Sequence, residues 1–446
     1  MLTYDLEQAT GPLYQYIYQC LKDDIMTGGL QAGDKLPSKR TFARNHGIST
    51  ITIQNAYDQL ISEGYIYTVP KKGYYVAKIR GMRQVPKETN LSLNIQRQEK
   101  KVEYAVDLSD NRMSPERFPF TVWAKIGREI MSDHKSELME PSPAGGTRAL
   151  REAVAEHLKS YRAMLVDPDQ IVVGAGTEYL YSLLVQLLAP RSTYCLEDPG
   201  YKKIAQVYKR CGVTCRYGRL DDQGITVDSL KRSGADIAHI SPNHHFPTGI
   251  TMPASRRYEV LAWANEKEGR YLIEDDYDSE FRLGGRPVPT LFSIDACEKV
   301  IYMNTFSKSL TPTIRISYMV LPVHLANRFY EELSFYSCTV SNFEQYTLAA
   351  FIKQGYFEKH INRMRLYYAR QRQKIKEVLE KGAPGLPCEI RENDSGLHFL
   401  LHLKTDLTDR EVVKKLAEQG VRVHALSEYY TKKQGEEHFF IINYSN

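Results

Sequence analysis

The sequence lacks the features that would assign it to a secreted, membrane or metal-binding class. Its seven cysteines include no Cys-x-x-Cys pair, which favours reduced thiols in a cytoplasmic protein over disulfides. No apolar run approaches the roughly 20 residues that a membrane span requires, and residues 1–10 are polar and acidic, unlike an export signal. The net charge of +5 is too small to indicate a polyanionic partner by itself.

The composition is that of an ordinary globular protein. The chain has 446 residues, of which 42% are hydrophobic and 25% are charged. A chain of this length exceeds what a single hydrophobic core usually serves, so we expect two or more domains.

Residues 1–79 predict a small helical module. Apolar residues recur at helical spacing from Pro12 to Thr27, and residues 33–64 divide at Gly47 into two short helical patterns. Ser38 and Ser49 stand where N-caps belong. Two short helices joined by a glycine-bearing turn are typical of a helix-turn-helix.

Residues 65–76 predict two strands around a basic turn, Lys71-Lys72-Gly73. With the helices, they resemble the GntR-type winged helix, whose motifs match Leu36 to Arg40, Gly47, Thr52 to Tyr57, Leu60 to Tyr65 and Gly73. The resemblance implies DNA contacts from Ser38, Arg40, Thr50, Thr52, Gln54, Lys71, Lys72 and Gly73.

Base contacts in this module carry one open question. Thr50 and Gln54 stand where relatives often have arginines, and residues 1–80 hold nine Lys/Arg against seven Asp/Glu. Affinity for DNA would therefore come from the positions of individual basic residues and from dimerisation, and not from the net charge of the module. The alternative is a helix-turn-helix that binds only protein.

Residues 80–103 have little apolar periodicity and predict a flexible polar linker. From residue 104 onward, short β-rich runs alternate with longer helical stretches. This pattern predicts an α/β domain with a mostly parallel sheet, in which ligands sit at the carboxyl ends of strands.

A glycine-rich turn follows the first buried strand of this domain. Residues 170–173 lead into Gly174-Ala-Gly176-Thr177-Glu178 and then a helix. Such a turn is a phosphate seat at a helix amino terminus, although a plain tight turn would have the same sequence.

Three further stretches supply aromatic, acidic and histidine side chains. Tyr201 closes a strand and can cover a flat ring, and strand alternation places Asp275 and Tyr277 on one side of a strand end. A structural tyrosine and a solvated acidic loop are the alternatives. His244 and His245, in a Pro/Gly-punctuated loop, lack the spacing of metal ligands, so no metal is expected.

The stretch from Tyr302 to Arg315 places one lysine among hydroxyls and ahead of an arginine. Lys308 follows Thr305 and Ser307 and precedes Arg315. An amine with hydroxyls and a guanidinium suits an aldehyde-bearing phosphate cofactor. A Ser/Thr-rich surface loop is the alternative for this stretch alone.

In this order, the stretches resemble fold type I pyridoxal 5'-phosphate (PLP) enzymes of the class I aminotransferase group, from residue 104 to 446. The resemblance implies a Schiff base at Lys308, a pyridinium partner in Asp275, a ring-oxygen donor in Tyr277 and a stacking ring in Tyr201. It also implies a small C-terminal α+β subdomain, and phosphate ligands in Gly176, Thr177, Thr305, Ser307 and Arg315.

The sequence departs from that group at two places. Phe246 precedes the Pro-Thr-Gly element where asparagine is usual, which makes Asn243 the substitute cofactor ligand. Residues 439–446 hold no arginine for a substrate carboxylate, so Arg422, or more weakly Lys203, is the candidate. Both side chains can equally be surface charges.

A GntR-type winged helix followed by an aminotransferase-like domain resembles the MocR/GabR family of transcription regulators. This implies a head-to-tail homodimer that binds repeated half-sites in promoter DNA and responds to an amine, an amino acid or a B6 vitamer at Lys308. At most a slow half-transamination is expected. The alternative is a true aminotransferase with a DNA-tethering or regulatory amino-terminal domain.

Overall fold

Two compact units make up the chain, residues Met1–Lys100 and Lys101–Asn446. The computed structural model describes residues 4–79, 103–109, 114–188, 192–283, 288–382, 388–391, 395–432 and 437–445. The linker predicted at 80–103 lies outside the described residues except for Glu103.

The first unit contains three helices and a three-stranded antiparallel sheet of order β1-β3-β2 among its described residues. Its elements are α1 (Leu13–Thr27), β1 (Lys35–Leu36), α2 (Lys39–His46), α3 (Thr50–Ser62), β2 (Ile66–Val69) and β3 (Gly73–Val76).

Local sequence explains the helix-turn-helix in this unit. The hydroxyls of Ser38 and Ser49 accept hydrogen bonds from the amides of Thr41 and Thr52, both at 3.1 Å, and so cap α2 and α3. Gly47 ends α2 with a φ of 67°, a left-handed conformation that glycine adopts without steric cost. The predicted caps and turn are confirmed.

Apolar side chains hold the three helices and the sheet of the first unit together. Ile17, Leu21, Ile53, Tyr57 and Leu60 are fully buried in one core. They recur along α1 and α3 at helical spacing, so one face of each helix is buried and the other is free for a partner.

The second unit is built from strands that alternate with helices. Its strands are β4 (Val106–Asp107), β5 (Ile171–Gly174), β6 (Thr193–Asp198), β7 (Thr214–Asp221), β8 (Gly224–Ile225), β9 (Ile237–Ile240), β10 (Tyr271–Asp275), β11 (Val300–Thr305), β12 (Ser317–Val320), β13 (Cys388–Arg391), β14 (His398–Leu403), β15 (Val421–Arg422), β16 (His424–Ala425) and β17 (Phe439–Asn443).

The helices of the second unit pack on both faces of its main sheet and against the smaller carboxyl-terminal strands. They are α4 (Phe120–Asp133), α5 (Lys135–Met139), α6 (Arg148–Arg162), α7 (Thr177–Leu187), α8 (Lys202–Arg210), α9 (Val227–Ser233), α10 (Ala254–Asn265), α11 (Leu291–Ile294), α12 (Phe306–Ser309), α13 (Val323–Glu332), α14 (Asn342–Lys353), α15 (Tyr356–Gly382) and α16 (Asp409–Glu418). No described helix combines the length and the apolar composition that a bilayer span needs.

The main sheet has eight strands in the order β5-β12-β11-β10-β9-β6-β7-β8. The run from β11 through β10, β9 and β6 to β7 is parallel. Strand β12 runs antiparallel between β11 and β5, so β5 points the same way as the parallel run. The carboxyl ends of six strands, β5, β6, β7, β9, β10 and β11, therefore share one edge, where ligands of such sheets bind.

A smaller antiparallel sheet of order β13-β14-β17-β16 forms near the carboxyl terminus. Its strands and α16 make the predicted α+β subdomain. The expected winged helix and the mostly parallel α/β sheet are both confirmed.

Candidate cofactor and DNA-binding sites

A cavity of about 720 Å³ opens at the shared carboxyl edge of the main sheet. Side chains that follow β5, β6, β9, β10 and β11 all contribute to its wall. They include Thr177, Glu197, Tyr201, Ser241, His245, Asp275, Tyr277, Thr305, Ser307, Lys308 and Arg315.

Most of the residues predicted to bind a cofactor line this cavity, since Lys308, Asp275, Tyr277, Tyr201, Thr177, Thr305, Ser307 and Arg315 are all in its wall. Lys203, the weaker carboxylate candidate, also lines it. Residues that lie up to 138 positions apart in the sequence, such as Thr177 and Arg315, thus meet at one site.

The turn predicted as a phosphate seat has the required local geometry. Gly176 caps α7 with a φ of 92°, and a Cβ there would overlap the guanidinium of Arg315. The Arg315 guanidinium donates to the carbonyl of Ala175 at 3.3 Å and forms an ion pair with Glu178. Gly176 lies outside the cavity wall, but its lack of a side chain leaves the space that the Arg315 guanidinium fills.

Hydroxyls on α12 complete this end of the cavity. The Thr305 hydroxyl accepts from the amide of Ser307 at 3.1 Å and caps α12. The Ser307 hydroxyl is buried without a hydrogen-bond partner among the described residues. A buried hydroxyl without a partner is costly, and a phosphate oxygen would satisfy it.

Asp275 is buried at the end of β10 and held by two polar groups. Its Oδ2 accepts from the hydroxyl of Tyr181 at 2.8 Å and lies 3.3 Å from Nε2 of His239. Its Oδ1 is buried without a partner among the described residues. One carboxylate oxygen is therefore fixed and the other remains to accept a proton donor, as a protonated pyridine nitrogen would require.

The Tyr277 hydroxyl lies 3.2 Å from Nδ1 of His244, which in turn is 2.8 Å from Oδ2 of Asp278. Burial raises the pKa of Tyr277 well above its ordinary value. The side chain is therefore a neutral hydroxyl that can donate into the cavity.

Asn243, predicted as a substitute cofactor ligand, is not in the cavity wall. Its side-chain amide donates to Oε1 of Glu274 at 3.1 Å, because Glu274 is buried and requires donors. His245, two residues further on, lines the cavity instead. The only sequence signal for His245 is its position in the loop that ends at Gly249.

His245 lies beside a second buried group that the sequence did not indicate. Its Nε2 is 3.5 Å from Oε2 of Glu197, which accepts from the amide of Ser241 at 2.9 Å. Burial raises the pKa of Glu197 to about 8 and lowers the pKa of His245 to about 3. Both groups are therefore neutral near pH 7, so neither places an unpaired charge in the cavity wall.

Arg422, the stronger carboxylate candidate, is placed outside the cavity wall. It lies on β15, 3.5 Å from Oδ2 of Asp107 on β4, and its guanidinium is over the ring of Tyr104. The final strand β17 contributes Asn443 to the cavity wall, and β17 contains no arginine.

The residues predicted to contact DNA lie on one module. Arg40 on α2, Thr50 and Gln54 on α3, and the cap Ser38 are exposed, and Thr52 is half-buried. Lys71 and Lys72 are exposed in the turn between β2 and β3, where Gly73 has a φ of 116°. The structure brings recognition helix and wing into one unit, as expected.

Comparisons with known proteins match each of the two units to a known family. Residues 104–444 match the family model "Aminotransferase class I and II", and residues 13–76 match "Bacterial regulatory proteins, gntR family". The "Uncharacterized HTH-type transcriptional regulator YdeL" of Bacillus subtilis (strain 168) is 36% identical over 422 residues, which is 94% of this chain and 90% of that protein. The chain belongs to the MocR/GabR-type family of transcriptional regulators.

Another relative of this MocR-type regulator is the "Probable rhizopine catabolism regulatory protein MocR" of Rhizobium meliloti, with 29% identity over 96% of this chain and 89% of that protein. The large unit resembles the multiple substrate aminotransferase of Thermococcus profundus, with a TM-score of 0.68 and 24% identity over 77% of this chain and 87% of that chain. This second likeness establishes the fold type I architecture.

Family membership makes PLP the cofactor of this MocR-type regulator and DNA its macromolecular ligand. PLP supplies an aldehyde that accepts primary amines and a ring that withdraws electrons. The residues present fit the cofactor, because the buried Oδ1 of Asp275 and the buried hydroxyl of Ser307 have no partner among the described residues, and a protonated ring nitrogen and a phosphate oxygen would satisfy them.

Proposed function

We propose that this MocR-type regulator detects a primary amine, an amino acid or a B6 vitamer at Lys308 and changes its promoter binding in response. The observation that carries the proposal is that Lys308 shares one cavity with Asp275 and Arg315 in a chain that also contains a winged helix. In this proposal residues 1–79 bind DNA, 80–103 link, and 104–446 bind cofactor and effector.

Each side chain of the cavity has one task in this proposal. The amine of Lys308 holds the cofactor covalently, Asp275 keeps a proton on the ring nitrogen, and Tyr277 donates to the ring oxygen. Tyr201, which is 49% exposed, covers the ring face. Thr177, Thr305, Ser307 and Arg315 bind the phosphate, and Gly176, outside the wall, completes the phosphate turn by leaving room for Arg315.

An amine that competes with Lys308 releases this lysine from the cofactor. A signal follows only if the released state favours a different arrangement of the protein, because a ligand shifts an equilibrium only through differential binding. A head-to-tail homodimer, which presents two winged helices to repeated half-sites, would convert that arrangement into a change in DNA affinity.

A slow aminotransferase is the second candidate, favoured by the presence of Lys308, Asp275 and Tyr277 in one cavity. Against it, β17 lacks an arginine and Arg422 is held by Asp107. Multiple turnover with amino and keto acids would support the enzyme, and a single slow half-reaction would support the sensor.

The test combines absorbance and DNA binding. The PLP-loaded protein is expected to absorb visible light, and Lys308→Ala is expected to lose that band. Lys202→Ala is the matched control, because Lys202 also lines the cavity. DNA affinity for the protein's own promoter is then measured with a panel of amines, amino acids and B6 vitamers. The sensor proposal fails if no compound changes the affinity of the wild type, or if Lys308→Ala responds equally.

A further inference from the structure

The exposed face of α3 contains no basic residue. This recognition face consists of Thr50, Ile51, Gln54, Asn55 and Asp58, all exposed, and the helix from Thr50 to Ser62 contains no lysine or arginine. The five positions lie within one stripe of the helix, opposite the buried residues that pack against α1 and α2.

Ile51 is the unusual member of this face. It is 70% exposed, the highest value among the described large apolar side chains of the first unit. It lies in the first turn of α3, and the amino-terminal residues of a recognition helix are those that meet base edges. An apolar side chain exposed there is not stabilised by contact with water, and it would be stabilised by packing against an apolar group of the DNA.

The edges of the bases in the major groove limit what this face can recognise. Guanine is contacted most often by arginine or lysine at O6 and N7, whereas glutamine and asparagine pair with N6 and N7 of adenine. The only apolar group in the groove is the 5-methyl of thymine. Side chains of isoleucine, glutamine and asparagine together therefore match A·T pairs.

Cations of the module lie elsewhere and suit phosphates. Arg40 and Arg44 are exposed on α2, and Lys71 and Lys72 are exposed in the wing turn. Phosphate contacts fix orientation and carry no direct sequence information. In this arrangement α2 and the wing position the module on the DNA, and α3 selects the bases.

We infer that α3 selects A·T base pairs, with Ile51 packed on a thymine 5-methyl group and Gln54 paired with adenine. This inference rests on the DNA-binding function of the family and adds the chemistry of the half-site. It involves no contribution from the cofactor unit.

The experiment changes one chemical group of the DNA at a time. Full-length, PLP-loaded protein first selects a duplex from a random library. Each thymine of the selected half-site is then replaced by deoxyuracil, which removes only the 5-methyl group. One or two replacements should weaken wild-type binding by about fourfold per methyl group lost.

The protein variants complete a double-mutant cycle. Ile51→Ala should bind the thymine duplex about as weakly as wild type binds the uracil duplex, and it should no longer distinguish the two. Val378→Ala is the matched control, because Val378 is 68% exposed in the other unit, and it should retain the wild-type preference.

Gln54 is tested by 7-deazaadenine, which removes the N7 acceptor. The wild type should lose affinity at one adenine and Gln54→Ala should not respond there, while Gln54→Arg should shift selection toward guanine. Uracil and 7-deazaadenine duplexes bound with undiminished affinity by the wild type would overturn the inference. If no duplex is enriched, it is the DNA-binding function that fails.

Discussion

Arg315 and Glu178 form an ion pair across the turn at which PLP phosphate is proposed to bind. Lys203 pairs with the other oxygen of the same carboxylate. Burial alone raises the pKa of Glu178, but hydrogen bonds from Lys203 and Arg315 outweigh it and lower the pKa to about 2. The ionised Glu178 carboxylate is therefore paired with the Arg315 guanidinium, which is the group proposed to bind the phosphate.

We expect Glu178→Gln to bind PLP more tightly, because the phosphate would no longer compete with a carboxylate for Arg315. Loss of a half-exposed ion pair amounts to about 1 kcal/mol, or roughly a fivefold lower Kd. Titration of cofactor-free protein, followed by visible absorbance, measures the effect. Glu332→Gln, which breaks the pair with Arg328 on α13, should leave the Kd unchanged. Weaker binding by Glu178→Gln would mean that the carboxylate supports the phosphate site.

Glu197 predicts how stability changes above neutral pH. Burial raises its pKa in the folded protein from 4.5 to about 8, so the folded state binds a proton that the unfolded state releases. Stability from this group is complete below pH 4.5 and is lost as the pH rises to 8, by at most about 1.4 kcal/mol per pH unit.

His245 acts in the opposite direction over a lower range. Burial lowers its pKa from 6.5 to about 3, so its contribution is lost as the pH falls below 6.5. The two effects offset each other between pH 4.5 and 6.5. Burial also raises the pKa of Glu274 and of Glu280 to about 7, so wild-type stability should fall from pH 6.5 to 8 in urea unfolding, and Glu197→Gln should fall less steeply, most visibly above pH 7. An unchanged slope in this variant would contradict the assignment to Glu197.

Asp276 and Arg162 form a buried ion pair in which both side chains are at most 3% exposed. Asp276 also accepts from the hydroxyl of Tyr302 at 2.7 Å. Asp276→Asn leaves the arginine charge buried without its partner, so the free energy of unfolding should fall by about 3 kcal/mol or more. Asp228→Asn, on the surface of α9, should change it by less than about 0.5 kcal/mol. Urea titration distinguishes the two results.

Arg40 is expected to bind a phosphate. Arg40→Ala should weaken binding to specific and random duplexes alike and lower the dependence of log K on log salt by about 0.9. Arg128→Ala, an exposed arginine of α4, is the control. A variant that changes the preferred sequence but retains the salt dependence would assign Arg40 to a base.

Local signals explain why much of the molecule could be predicted from the sequence. The caps Ser38 and Ser49 act within three residues of their positions, and Lys308 follows Thr305 and Ser307 within one strand-to-helix turn. Such relationships are contained in a short window, so the pattern of residue types is sufficient.

Two predicted ligands, Asn243 and Arg422, lie outside the cavity wall, and each contacts a partner far along the chain. Asn243 donates to Glu274 on the neighbouring strand β10, and His245 lines the cavity. Arg422 is held by Asp107, 315 residues earlier. Neither partner can be identified from the sequence around the ligand, because the contact depends on how β4 and β10 are placed in the fold.

Strands β11 and β12 flank the segment from Lys308 to Arg315, and they are hydrogen-bonded to each other from Thr305–Ser317 to Tyr302–Val320. Backbone hydrogen bonds thus anchor both ends of that segment. In the proposed function, the cofactor is bound by the amine at one end of this segment and by the guanidinium at the other. The backbone pairing of β11 with β12 therefore sets how far apart its two points of attachment can lie.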